Sequence, residues 1–183
     1  MANAHQKFKK IAIIHQSTTE STQIADQLRT YFSPVDPENS DLIVVIGGDG
    51  SLLHALHNYM GLNIPFYGIN SGSVGFLMNN FHIENFPSNI QQAKSTNLYP
   101  LKMKAINTKG QEFEALALNE VSIFRQTNQA AKFRIKVDAI ERMEELIADG
   151  ALVSTPAGSS AYNLSAGGAI VPLGSNVLCL TPI

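Results

Sequence analysis

The sequence has one cysteine, Cys179, in 183 residues. A single thiol cannot form a disulfide within the chain, and it cannot build a cysteine-based zinc cage. Because Cys179 stands in the apolar segment 177–180, we interpret it as a small buried side chain. The shortage of cysteine therefore favours a reducing compartment.

The sequence also lacks features of membrane and nucleic-acid proteins. No apolar run approaches the roughly 20 residues that a membrane-spanning helix needs, and the polar start MANAHQKFKK has no apolar signal core. With 13 basic and 15 acidic residues the net charge is -2, which does not suggest a basic face for nucleic acid. We expect a cytoplasmic protein with neither a membrane nor a nucleic acid as partner.

The first half of the chain alternates between strand and helix patterns. Hydrophobic residues make up 44% of the sequence, a globular profile. Apolar runs typical of strands are separated by segments with helical spacing, in the order 10–15, 18–32, 41–46, 51–60 and 64–69. The continuous β-branched run suits a strand buried on both faces of a parallel sheet. We therefore expect a layered α/β domain over residues 1–97.

The pattern changes in the second half. Residues 102–106 and 132–137 alternate polar and apolar side chains, as antiparallel strands with one wet face do, and 113–124 adds at least one more strand. Residues 83–97 read as the helix and linker before this half. The prediction for 98–183 is a mostly antiparallel, β-sandwich-like domain. Because an apparent strand at 177–180 stops just before the end, we expect this domain to be incomplete at its carboxyl end.

A glycine-rich turn, Gly47-Gly48-Asp49-Gly50-Ser51, joins a predicted strand to a predicted helix. Ligands bind at this edge of open α/β sheets, and amides at a helix start favour anions. The turn is neither a Walker loop nor a dinucleotide fingerprint. Asp49 is thus left with three readings: it accepts a proton from an attacking hydroxyl, it helps to hold magnesium beside phosphates, or it caps the helix.

Three further stretches are candidates for ligand binding. Residues 68–77 form a glycine-rich loop after a strand. Asn119 and Glu120 interrupt a strand-like run, and a bulge there would turn both side chains to one site, although a plain strand end fits as well. Residues 149–168 are rich in small and hydroxyl side chains around Tyr162, which suits either a flat ligand or tight packing between layers. Ser159 or Ser160 is expected to cap a short helix.

The histidines carry less information. His54 and His57 are three residues apart on the predicted helix after the glycine turn, with no second acid pair to complete a metal site. We interpret them as surface or packing residues.

The order and spacing of the four stretches resemble the ATP-NAD kinase family. The matching segments are 47–51, 68–76, 118–120 and 149–163, so the resemblance covers the chain from about residue 40 onward. It implies phosphoryl transfer from ATP or polyphosphate to the 2′-hydroxyl of the adenosine ribose of NAD, giving NADP. It also implies a divalent cation, Mg²⁺, and a homodimer or homotetramer in which a neighbouring subunit completes the site. Family members continue past Thr181 and Pro182 with more strands.

The resemblance also implies a role for each matching residue. Asp49 would be the general base for the ribose hydroxyl. The ligand contacts it implies are Gly48, Gly50 and Ser51 at the phosphates, Phe76 near the adenine, Asn119 and Glu120 on the ribose, Asp149 at the nicotinamide end across a subunit boundary, and Ser160, Ala161 and Tyr162 at the adenine and ribose. We assign no residue of the chain as a metal ligand.

Two alternatives to a NAD kinase stay open at this point. The expected loss of carboxyl-terminal strands would suit a chain that binds NAD or NADP without catalysis. The glycine turn alone is shared with lipid and sugar kinases.

Overall fold

The computed structural model describes residues 8–72 and 75–183 and divides them into two compact units, with the division after Ser95. The first unit alternates strands and helices as expected. Its elements are β1 (Ile11–His15), α1 (Thr19–Arg29), β2 (Leu42–Gly47), α2 (Asp49–Tyr59), β3 (Phe66–Asn70) and α3 (Phe86–Gln92). Strands β1, β2 and β3 pair in that order, all parallel, which confirms the predicted sheet.

The central strand β2 is buried on both faces, and alternate side chains feed two separate apolar clusters. Leu42, Val44 and Ile46 pack with residues of α1 and α3. Ile43 and Val45 pack on the opposite face, with residues of α2. This period-two division explains why the strand reads as a continuous apolar run, because neither of its faces meets water.

The helices of this unit begin close to where the sequence places them. Thr18 caps α1, since its Oγ1 accepts a hydrogen bond from the amide of Ser21 at 3.2 Å. Helix α2 starts two residues earlier than expected, at Asp49, with Gly48 as its cap residue. The three parallel strands therefore end at one edge, beside the amino end of α2. None of the helices described is long and apolar enough to span a bilayer.

The second unit is mostly antiparallel, which confirms the predicted fold class. Its elements are β4 (Leu101–Ile106), β5 (Glu112–Ala117), β6 (Glu120–Phe124), β7 (Ala131–Val137), β8 (Ile140–Ala148), β9 (Gly150–Ser154), α4 (Tyr162–Ser165) and β10 (Cys179–Pro182). Strands β4 and β5 form one hairpin and β7 and β8 another, while β10, β9 and β6 pair in that order. The predicted segment 113–124 thus holds two strands.

The second unit buries few apolar side chains and an unusual number of polar ones. Its buried apolar residues are Ala151, Leu152 and Ala157, and its buried polar residues are Ser154, Thr155, Ser159, Asn163 and Thr181. Asn163 lies at the centre: its Nδ2 donates to the carbonyls of Ser159 and Ala169, and its Oδ1 accepts from Thr181. The interior of this unit is therefore formed largely by a hydrogen-bonded network around Asn163 and less by apolar side chains.

The expectation that Cys179 is buried is wrong. Its side chain is only partly buried, because β10 forms one side of its sheet and pairs with β9 alone.

Replacing Thr181 with valine tests how much the hydrogen-bonded network around Asn163 contributes to stability. Thr181→Val keeps the shape of the side chain but leaves the buried Asn163 Oδ1 without its donor, which lies 2.7 Å away. We expect the free energy of unfolding to fall by about 1–3 kcal/mol, measured by denaturant titration. The exposed Thr108→Val serves as control, and equal stability of the two variants would contradict the prediction.

Candidate active site

The glycine turn after β2 leaves open space at the amino end of α2. A Cβ on Gly47 would lie 2.4 Å from Ser51 Oγ, so this position requires glycine. A Cβ on Gly48 or Gly50 would meet nothing within 4 Å. Gly48, the cap residue of α2, makes no side-chain hydrogen bond to the first amides of the helix. The turn is therefore open to a ligand, and helix amides of this kind favour an anionic one.

Asp49 binds the backbone of another loop. Its Oδ2 accepts from the amide of Phe76 and its Oδ1 from the amide of Leu77, both at 2.9 Å. The carboxylate therefore does not cap α2, and that reading is wrong: Asp49 is the first helical residue, and its side chain points to the loop after β3. The two bonds fix the plane of the carboxylate.

The loop after β3 is tied to the glycine turn at several points. The amide of Ser71 donates to the carbonyl of Gly47 in the turn, whereas the backbone amide and the side chain of Asn79 both donate to the carbonyl of Gly68 and so hold the loop to β3 itself. The amide of Phe76 donates to Asp49, while the residue as a whole is 60% exposed. The part of the predicted glycine loop at 73–74 lies outside the described residues.

In the second unit, Asn119 and Glu120 lie where β5 has ended and β6 begins. The pairing of β6 with β9 has no register shift, so this pair of strands does not contain the expected bulge. The two side chains are positioned instead by the turn of the chain between β5 and β6. The amide of Thr155 donates to the carbonyl of Asn119, and a Cβ on Gly158 would lie 2.2 Å from that carbonyl oxygen. Close packing therefore holds the Asn119 backbone in place.

Three buried side-chain atoms in the described part of the chain have no hydrogen-bond partner: Ser51 Oγ, Asn119 Oδ1 and Glu120 Oε2. Buried polar atoms are normally paired, so each exception calls for an explanation. All three belong to residues for which the family resemblance implies ligand contacts. Burial also raises the pKa of the Glu120 carboxyl, because loss of contact with water disfavours the charged form.

The remaining predicted residues of this unit are more accessible. Asp149 receives a hydrogen bond from Arg125 Nε at 2.6 Å, and its side chain is largely exposed. Tyr162 stacks on Phe124, with ring centroids 6.1 Å apart and planes at 28°. Phe124 was predicted only as part of a strand, and no sequence motif marked it as a site residue. The pair forms a partly exposed aromatic surface, which suits a flat ligand.

Residues in the stretch 149–168, which is rich in small side chains, differ in how far they are buried. Ser154, Thr155 and Ser159 are buried, whereas Ser160 and Ala161 are partly exposed. The expected capping by Ser159 or Ser160 is wrong, because the short helix α4 has Ala161 at its cap position. The Ser159 hydroxyl instead donates to the carbonyl of Pro156 and accepts from the amide of Val171.

No cluster of three or more metal-ligating side chains exists among residues 8–72 and 75–183. Mg²⁺ usually keeps several waters and binds through substrate phosphates with one or two carboxylates. In the glycine turn Asp49 is the available carboxylate, and each of its oxygens keeps a second lone pair.

The chain is similar to known kinases over nearly its whole length. The model of the ATP-NAD kinase N-terminal domain matches residues 1–98, and that of the ATP-NAD kinase C-terminal domain matches 118–183. NAD kinases of Rickettsia bellii and Rickettsia canadensis are 59% and 60% identical over 174 residues, which is 95% of this chain and 68% of each relative.

Two solved structures share the fold. An NAD kinase from Archaeoglobus fulgidus in complex with ATP superposes with a TM-score of 0.68 at 27% identity, covering 95% of this chain and 72% of that one. Yeast NADH kinase complexed with NADH gives a TM-score of 0.66 at 21% identity, covering 100% and 70%.

The raised pKa of Glu120 predicts a pH-dependent effect on stability. Between its unfolded and folded pKa values the folded chain binds more protons, so the buried carboxylate lowers stability as the pH rises through that range. Glu120→Gln removes this charge and should raise the midpoint of thermal unfolding at about pH 8, by an amount that shrinks towards about pH 4.

The control is Glu144→Gln, which changes an exposed glutamate in the same unit. A Glu120→Gln effect that is independent of pH, or a loss of stability at high pH, would contradict the assigned environment.

Proposed function

The chain belongs to the ATP-NAD kinase family, and from that premise we propose how its own residues carry out the transfer of a phosphoryl group from ATP to NAD. The enzyme is a phosphotransferase with an alcohol acceptor, the 2′-hydroxyl of the adenosine ribose, and its product is NADP. The observation that carries the assignment of the acceptor site is the pair of buried, unpartnered oxygens on Asn119 and Glu120.

Asn119 and Glu120 suit a ribose because hydroxyl groups donate to carbonyl and carboxylate oxygens. A ribose hydroxyl would supply the hydrogen bonds that Asn119 Oδ1 and Glu120 Oε2 lack. The stacked rings of Tyr162 and Phe124 offer a surface for the adenine, with Ser160 and Ala161 beside them. The exposed ring of Phe76 is a second candidate for contact with the base.

Asp49 is proposed as the general base. The 2′-oxygen forms a bond to the γ-phosphorus of ATP while the bond from that phosphorus to the bridging oxygen breaks. The hydroxyl proton passes to the carboxylate, and ADP leaves. The amides of Phe76 and Leu77 hold the carboxylate plane, and the second lone pair of either oxygen accepts the proton. A positioned base contributes about 10²- to 10⁴-fold in rate.

The phosphates are proposed to lie at Gly48, Gly50 and Ser51, where the amino end of α2 is open. Mg²⁺, where bound to them, neutralises charge that builds up during the transfer. Amides and a cation together account for the absence of a lysine within the glycine turn. A cytoplasmic location is part of the same proposal and agrees with the single unpaired thiol of Cys179.

Asp49→Asn tests the base. The carboxamide cannot take the proton, so turnover should fall about 100-fold or more, whereas the Kd for NAD should change little. A coupled assay for NADP and calorimetry with NAD give the two values. Asp138→Asn, an exposed aspartate in the second unit, is the control.

The variant also removes one loop contact, because its NH₂ group would face an amide N–H of Phe76 or Leu77. A large loss of NAD affinity would therefore make Asp49 a loop anchor instead of a base. NAD binding by the unmodified chain without NADP formation would indicate a binding protein, and turnover of a lipid or sugar in place of NAD would indicate the related kinases.

We also propose a homodimer or homotetramer in which Asp149 reaches the nicotinamide end of NAD in a neighbouring subunit. Large apolar side chains of the second unit are exposed, and these are the kind that subunit contacts cover: Ile123, Phe124, Leu164, Leu178 and Leu180. The Asp149 side chain is exposed and one of its oxygens is bound by Arg125, so the other can meet a ligand.

Mixing two inactive variants tests the shared site. If Asp49 and Asp149 of different subunits meet at one NAD, then Asp49→Asn and Asp149→Asn chains mixed under exchange should regain part of the activity that each lacks alone. Light scattering gives the oligomeric state. Activity of the mixture equal to the average of the separate variants would place both residues in the same chain's site, and a monomer would exclude sharing altogether.

A further inference from the structure

The side chain of Ser21 is buried in the first unit, where the interior is otherwise apolar. Ser21 lies in the first turn of α1, and its exposed fraction is 0%. Among the described residues of this unit it is the one buried residue with a polar side chain. Because a buried hydroxyl lowers stability unless it is hydrogen-bonded, its position in the helix calls for an explanation.

Capping of α1 does not account for this hydroxyl. Thr18 Oγ1 accepts from the backbone amide of Ser21 at 3.2 Å, a bond that any residue other than proline would make at this position. The hydroxyl itself has another partner, since Ser21 Oγ lies 2.8 Å from Ser71 Oγ, 50 residues further along the chain. Thr18 also donates to Ser21 Oγ, which leaves the proton of the buried Ser21 for Ser71. The Ser21 hydroxyl therefore links α1 to the loop after β3.

Ser71 is held on two sides by these contacts. It is the first residue after β3. Its amide donates to the carbonyl of Gly47 at 3.1 Å, and its hydroxyl bonds to Ser21. The point at which the loop leaves the sheet is therefore fixed both to the glycine turn and to α1.

The same loop contacts Asp49 a few residues later. The amides of Phe76 and Leu77 each donate to one oxygen of the carboxylate. The fit is close, because a Cβ on Gly75 would lie 3.2 Å from Asp49 Oδ1. A shift of the loop would therefore change both hydrogen bonds to the carboxylate, and a displacement of about 1 Å in a catalytic group is enough to slow a reaction strongly.

We propose that Ser21 is a positioning residue for the phosphoryl transfer. Its hydroxyl holds Ser71 and with it the start of the loop, and the loop amides hold the carboxylate of Asp49 in the plane in which it accepts the proton. The inference rests on the proposed function, in which Asp49 is the base. It deepens that function by adding a residue of α1 that acts on the base through the loop.

Ser21→Ala tests this role, because alanine keeps the capping bond of the amide and suits a helix. We expect kcat to fall about 3- to 10-fold, the factor that corresponds to one lost hydrogen bond of about 0.7–1.4 kcal/mol. The KM for ATP should stay unchanged, since the loop after β3 is not among the groups proposed to hold the phosphates.

The control is Ser40→Ala, which also removes a serine hydroxyl from the first unit. Ser40 Oγ donates to the carbonyl of Pro37 at 2.8 Å, and Ser40 precedes β2, at the other edge of the parallel sheet. Thermal unfolding checks that both variants are folded at the assay temperature. A kcat of Ser21→Ala equal to that of Ser40→Ala would overturn the proposal.

Two double variants distinguish positioning from a general loss of structure. If Ser21 acts through Ser71, Ser21→Ala should lower kcat no further once Ser71→Ala is present. If the pair acts through the base, Ser21→Ala should also leave the residual kcat of Asp49→Asn unchanged. Additive losses in either combination would overturn the proposal, because destabilisation alone lowers activity in every background. Ser71→Ala removes the same bond from its partly exposed end and replaces Ser21→Ala as the test if that variant does not fold.

Hydrogen exchange tests the loop independently of catalysis. The amides of Phe76 and Leu77 should exchange faster in Ser21→Ala than in the unmodified chain, whereas the amides of β2 should keep their protection. Absence of NADP formation by the unmodified chain would overturn the proposed function, and the exchange rates would then still decide whether Ser21 holds the loop. NADP formation together with equal exchange rates and an equal kcat would overturn the positioning role alone.

Discussion

The hydrogen bonds between Asp49 and the amides of Phe76 and Leu77 join the two loops on which the site in the first unit depends. One loop follows β2 and the other follows β3, and the parallel pairing of these strands brings both to the same edge. Without the carboxylate the second loop would have two unpaired amides at this point. The aspartate therefore organises the edge of the sheet before it takes part in any chemistry.

This arrangement explains why an acid stands in a turn that otherwise favours anions. A carboxylate pointing along the helix axis would repel a phosphate at the open amides. Because Asp49 instead points sideways to Phe76 and Leu77, the amino end of α2 stays free.

How much of the structure can be predicted from the sequence depends on how far apart along the chain the interacting residues are. The run 41–46 predicts a strand buried on both faces because each residue reports its own burial, and the structure confirms it. The bonds of Asp49 span 27 and 28 residues, and no local pattern encodes them. The capping expected of Ser159 does not occur, because its hydroxyl bonds to the carbonyl of Pro156 and the amide of Val171 instead. The roles of Asn119 and Glu120 stay predictions, although the break before β6 gives them a physical basis.

The two units meet the demands of binding in different ways. The first unit has an apolar cluster on each face of its sheet. The polar residues proposed to bind ligands lie in its loops, outside these clusters, and so do not weaken the core. The second has few buried apolar residues and holds its shape through Asn163 and its partners, and it also buries the unpaired oxygens of Asn119 and Glu120. Unpaired buried oxygens lower the stability of the free chain. Under the proposed function, a ribose that pairs with them would offset this cost, and part of the free energy of binding NAD would then come from oxygens that the free chain leaves unpaired.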